Sequence, residues 1–141
     1  MGIPHDVLYK RMFQFAAIWN LVAGVSGIFF PEIQFRYFFG SLNFSNHFYL
    51  GVFYRLFMFA VVVFGIGYYI VSLDLTLNRG IVWLGGVAKI ILFFVASYLY
   101  AIGKASVIIW TIFLGDFLWG AAFLTFLYHT RKFVKNNMIL G

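Results

Sequence analysis

Hydrophobic and polar positions along the 141-residue chain fall into four long apolar blocks with short polar breaks. The blocks cover 12–30, 49–71, 81–102 and 107–128, each close to the ~20 residues a helix needs to cross hydrocarbon. Strands are excluded at such depth, because an open strand edge in hydrocarbon leaves backbone groups unpaired at several kcal/mol each. Pro31 closes the first block, "DLTLNRG" at 74–80 separates the second from the third, and "GKAS" at 103–106 makes a tight turn before the fourth. The pattern therefore predicts an all-α, polytopic four-helix membrane bundle, residues 1–141 as one domain, with the last two spans as an antiparallel hairpin. The first block has no A-x-A cleavage site, so it is expected to stay as a span.

Composition gives the same solvent. Hydrophobic residues make up 64% of the chain and charged ones 10%, with a mean hydropathy of +0.96, too little polar surface to cover a soluble domain of this size. Cysteine is absent, which excludes disulfides, thiolate metal sites and thiol nucleophiles. The formal charge of +6 does not point to nucleic acid, because most basic residues flank apolar blocks. Lys10, Arg11, Arg79, Arg131, Lys132 and Lys135 fall on one side and only Arg36 and Lys104 on the other. By the positive-inside rule both termini are expected in the cytoplasm, with the chain in the cell inner (plasma) membrane.

The longest connection, "PEIQFRYFFGSLNFSNHF" at 31–48, is too apolar to float in water and too polar to span. It is expected to lie in the outer headgroup layer, with a short helix in which Glu32 and Arg36 pair at i,i+4 spacing. Its aromatic residues, Phe44 and Phe48 among them, form either an anchoring belt or a lid over an opening on that side.

Four polar residues fall well inside the spans: Asn20, Arg55, Lys89 and Asp116. Lys89 interrupts the run "GGVAKIILFFVASYL". Ionisable groups at such depth cost from ~3 kcal/mol upward unless paired or hydrated, which makes these four the candidate site. From the ~1.5 Å rise per residue, Asn20 and Lys89 lie ~12 Å from the cytoplasmic end, Asp116 ~18 Å and Arg55 ~24 Å. Small residues share their faces: Ala16, Ala17, Ala23, Gly24 and Gly27 with Asn20, Gly51 with Arg55, Gly85, Gly86 and Ala96 with Lys89, and Gly120 with Asp116. Small residues mark where membrane helices approach closely, so all four polar groups are expected to point into the bundle.

That arrangement holds two cations and one carboxylate. A cation left over would be a neutral amine, would snorkel toward the surface, or would bind an anionic or electron-rich ligand such as a lipid headgroup, a carboxylate or a quinone carbonyl. A buried pair that only fixes which helices pack together is equally open. His5 and His129 are expected near Asp6, but their spacing matches no ligand motif, and no metal is implied. "GIGYY" at 65–69 reads as a packing notch beside interfacial tyrosines. No GxSxG, HExxH, P-loop or paired-carboxylate arrangement is present, and an enzyme has little to rest on.

The layout of four spans, a long aromatic first outer connection and a short basic C-terminal tail resembles the DoxX-like group of small bacterial membrane proteins. The resemblance implies a four-helix inner-membrane protein, in a group where some members are membrane subunits of quinone-linked oxidoreductases. The expected function is an accessory or binding protein with a polar intramembrane site for an amphipathic ligand: a lipid, a quinone or another small hydrophobic molecule. The bilayer, with a membrane protein or a second copy, would be its partner. A proton-coupled transporter or channel using Asp116, and a structural subunit of a membrane complex, are the alternatives.

Overall fold

The structure, a computed structural model, describes residues 5–40 and 47–139, with side chains described through Arg131. Phe44 of the aromatic connection and the side chains of Lys132 and Lys135 lie outside the described residues. Five helices follow one another: α1 (Asp6–Phe29), α2 (Pro31–Phe39), α3 (Phe48–Leu73), α4 (Arg79–Ala101) and α5 (Val107–Ile139). All but α2 are long and apolar enough to cross a membrane. α1 starts before the apolar block, with Asp6 in its first turn where a carboxylate meets the positive end of the helix dipole. α5 continues past it into the polar tail. Apolar content marks where a helix is buried, and polar residues on either side extend it.

The outer surface is as apolar as the interior. Phe53, Ile66, Leu84, Phe94 and Leu118 are all about half exposed or more, on a scale that a water-facing surface does not carry. The four long helices therefore describe a membrane-embedded protein. In hydrocarbon no hydrophobic force draws helices together, so association depends on close packing. That packing joins the helices in two pairs, α1 along α3 and α4 along α5.

Glycines set both contacts. A Cβ at Gly24 would stand 2.8 Å from the Met58 carbonyl oxygen, and one at Gly120 would stand 2.8 Å from that of Gly86. The buried face of α3 steps through Gly51, Tyr54, Met58, Gly65, Tyr68 and Ser72, the three-and-four spacing of helices that cross at a shallow angle.

The two pairs meet at the end where α1 begins. Phe13 of α1, Tyr68 of α3, and Phe123 and Phe126 of α5 are almost wholly buried there. Their ring centroids stand 4.9 Å (Phe13–Phe123), 5.1 Å (Phe13–Phe126) and 4.8 Å (Tyr68–Phe123) apart. Arg79 at the start of α4 donates to the Thr130 hydroxyl at 2.7 Å and to the Leu127 carbonyl at 3.0 Å. The Tyr9 hydroxyl lies 3.3 Å from Nδ1 of His129.

At the opposite end the pairs are held by α2. Pro31 begins it, at the position where a missing N–H costs nothing, and Gly40 ends it at φ 86°. Phe35 packs on Tyr54 and Met58. Gln34 donates to the Ala23 carbonyl and the Ser26 hydroxyl, each at 3.0 Å, and accepts from the Tyr54 hydroxyl at 2.6 Å. Ser106, just before α5, donates its hydroxyl to the Tyr37 carbonyl and its N–H to the Phe38 carbonyl, each at 3.0 Å. The expected short helix is thus present, but no ion pair joins Glu32 to Arg36; both lie exposed on its outer face.

Candidate ligand site between the helix pairs

Between the aromatic cluster and α2 the pairs separate and leave a cavity of about 400 Å³. Asn20, Lys89 and Asp116 line it together, each from a different helix. Lys89 is 4% exposed and Asn20 5%. Small neighbours make room for both: Gly85 and Gly86 precede Lys89 on its face, and Ala16, Ala17 and Gly24 flank Asn20. Lys89 Nζ donates to Asn20 Oδ1 at 3.0 Å and to Asp116 Oδ1 in a shorter, ion-paired contact. Asn20 Nδ2 donates in turn to the Val61 carbonyl of α3 at 3.3 Å. One amide therefore connects α1, α3 and α4, and the ion pair extends the connection to α5.

Tyr68 completes this end. Its ring centroid lies 5.8 Å from Lys89 Nζ, within the range of a cation–π contact. Gly85 leaves the space it fills, since a Cβ there would come 2.3 Å from the Tyr68 hydroxyl. That hydroxyl has no hydrogen-bond partner among the described residues. No fully buried side-chain polar atom there lacks one, so the hydroxyl opens on the cavity.

Arg55 is elsewhere. It lies exposed on the outer face of α3, its guanidinium 3.5 Å from the Gly51 carbonyl one turn toward the α2 end. Gly51 faces the bundle with Tyr54 and Met58. Arg55, one position beyond Tyr54, is turned ~100° away from that seam. Asp116 thus has one cationic partner, not two, and the ~6 Å step in helix rise separating it from Lys89 is closed by their side chains.

Two contributors carry no signal in the pattern of intramembrane polar residues. Gln34 reaches the cavity from α2, and Tyr68, read as interfacial within "GIGYY", is almost wholly buried. The glycines of that motif are packing positions: a Cβ at Gly65 would meet the Ala17 carbonyl at 3.2 Å.

A second cavity of about 340 Å³ lies under α2, among α3, α4 and α5. Phe38, Phe57, Met58, Leu92 and Phe113 line both spaces, which therefore adjoin each other. The second is apolar apart from Tyr54, whose hydroxyl is engaged by Gln34. Phe57 and Ile91, which line the first, are 42% and 55% exposed, so that space also reaches the outer surface between α3 and α4. On the α1–α5 side the Trp19 ring covers Gly115, 3.3 Å from where its Cβ would be.

No protein-family model, curated protein or solved structure matches the chain in sequence or fold.

Proposed function

We propose that the chain is a small inner-membrane protein of the DoxX-like kind, with both termini cytoplasmic, that binds an amphipathic molecule between its two helix pairs. The ligand would be a lipid, a quinone or another small hydrophobic molecule, and the protein would act as an accessory or binding subunit. The observation that carries this reading is the placement of Lys89, Asn20 and Asp116 together at one end of a cavity whose remaining lining is almost wholly apolar. Sites for small molecules have this character: several hundred Å³, mostly apolar walls and a few convergent polar groups. The buried aromatic cluster beyond Tyr68 closes the cavity toward the terminal end. A blind cavity favours binding over a continuous path for ions.

Native mass spectrometry of the protein extracted with its lipids tests the reading. A co-purified species is expected on the native chain and is expected to be lost from Lys89→Met. Ala96→Phe, which fills the second cavity without touching the polar groups, should weaken retention as well. If neither the native chain nor either variant carries a bound species, the proposal fails.

A further inference from the structure

The charge balance of the site narrows its ligand. Two of the three ammonium protons of Lys89 are taken by Asn20 and Asp116. Whichever partner holds the shared proton, the pair carries no net charge. Arg55 lies on the outer face, and among the described residues Lys89 and Asp116 are the only charged ones lining either cavity. An anionic head would therefore meet a lysine already engaged and the Asp116 carboxylate beside it. A cationic head would meet the reverse. Either would bring an uncompensated charge into a low-dielectric space.

What the site leaves open is hydrogen bonding. The third Lys89 proton and the Tyr68 hydroxyl are donors, and Asp116 Oδ2 is an acceptor with no partner among the described residues. The charged groups sit at one end only, and the Gln34 amide at the α2 end is already engaged by Ala23, Ser26 and Tyr54. From Lys89 toward α2 the wall of α4 continues through Leu92, Ala96 and Leu99, a run of ~15 Å by helix rise.

We infer that the ligand is a single-chain amphiphile with an uncharged, hydrogen-bonding head. The head, a hydroxyl or carbonyl, sits at Lys89, Tyr68 and Asp116, and the chain lies under α2. It enters sideways from the bilayer between Phe57 and Ile91. This inference rests on the site reading proposed above and specifies its occupant.

The test uses the full chain in lipid nanodiscs and two photoreactive probes of equal length, each with a diazirine at the chain terminus. One is the primary alcohol of an undecyl chain and the other its sulfonate, which is ionised at every working pH. Crosslinks are mapped by peptide mass spectrometry. The alcohol is expected to label the 92–99 segment of α4 saturably, with unlabelled undecanol competing. The sulfonate should label it roughly tenfold less or weaker still, the scale set by desolvating an unpaired charge. Tyr68→Phe, which removes one hydroxyl and no volume to speak of, should reduce labelling by the alcohol. Equal or stronger labelling by the sulfonate overturns the uncharged head and leaves the site standing. Absence of saturable labelling by either probe overturns the site itself.

Discussion

Lys89 and Asp116 form an ion pair across the α4–α5 contact, with Asn20 of α1 hydrogen-bonded to the same ammonium. Each member of the pair protects the other from standing alone in a largely apolar interior. Removing one partner strands a charge, whereas removing both does not.

Asp116→Leu is therefore expected to destabilise the protein, by the ~3–5 kcal/mol typical of a broken buried pair. Lys89→Met with Asp116→Leu should recover most of that loss. Reversible unfolding in mixed micelles, followed by circular dichroism, measures both. A double variant no more stable than the single would show that the pair is not the source of the effect.

Two glycine substitutions should differ in sign. Gly120→Ala drives a methyl to 2.8 Å from the Gly86 carbonyl and 2.9 Å from Ile90 Cγ1, so α4 and α5 must move apart. Gly80→Ala meets nothing within 4 Å. In the first turn of α4 it should add up to about 0.5–1 kcal/mol, the usual gain of alanine over glycine in a helix. Thermal melts of the two variants, in one detergent, compare them directly.

Arg55→Leu should leave ligand retention unchanged and stability equal or higher. The guanidinium lies on the outer face and makes only a long contact to Gly51, while a cation facing lipid is costly. Loss of the co-purified species in this variant would mean that Arg55 belongs to the site after all.

The α3–α4 connection should carry a pH dependence of its own. Asp74 Oδ1 accepts from the Thr76 hydroxyl at 2.6 Å, the Thr76 N–H at 2.8 Å and the Leu77 N–H at 3.2 Å. The Thr76 hydroxyl first, and then these N–H groups, hold its carboxyl below the ordinary carboxylate value. A group depressed in the folded state stabilises it fully above the unfolded pKa of ~3.9 and loses that contribution as pH falls through the lower folded value. Stability measured between pH 6 and strongly acid conditions, roughly the span of that titration, should fall less steeply in Asp74→Asn than in the native chain. Superimposable pH profiles would remove Asp74 as a source.

Much of this architecture is legible in the chain. Apolar block lengths place the four long helices, and "GKAS" gives the α4–α5 hairpin. Small residues one turn away predict the inward direction of Asn20 and Lys89, because a close helix approach needs them. The same rule misplaces Arg55. Gly51 lies one turn before it, but the buried seam runs from Gly51 to Tyr54 and Met58, and a single glycine does not say on which side of itself the seam continues. Gln34 and Tyr68 are missed for a different reason. Their neighbours in sequence are aromatic residues suited to a membrane interface, and only the fold brings the side chains inward: α2 turning back at Pro31 carries Gln34, and the space above Gly85 receives Tyr68.

The α4–α5 hairpin also bears on how the protein is made. Each of its helices carries one charge deep within its apolar stretch that costs ~2.5–3.5 kcal/mol to insert by itself, and Lys89 and Asp116 are partners across a turn of only a few residues. Entering the bilayer together as a paired unit would lower that cost, so the two helices are expected to insert as one hairpin.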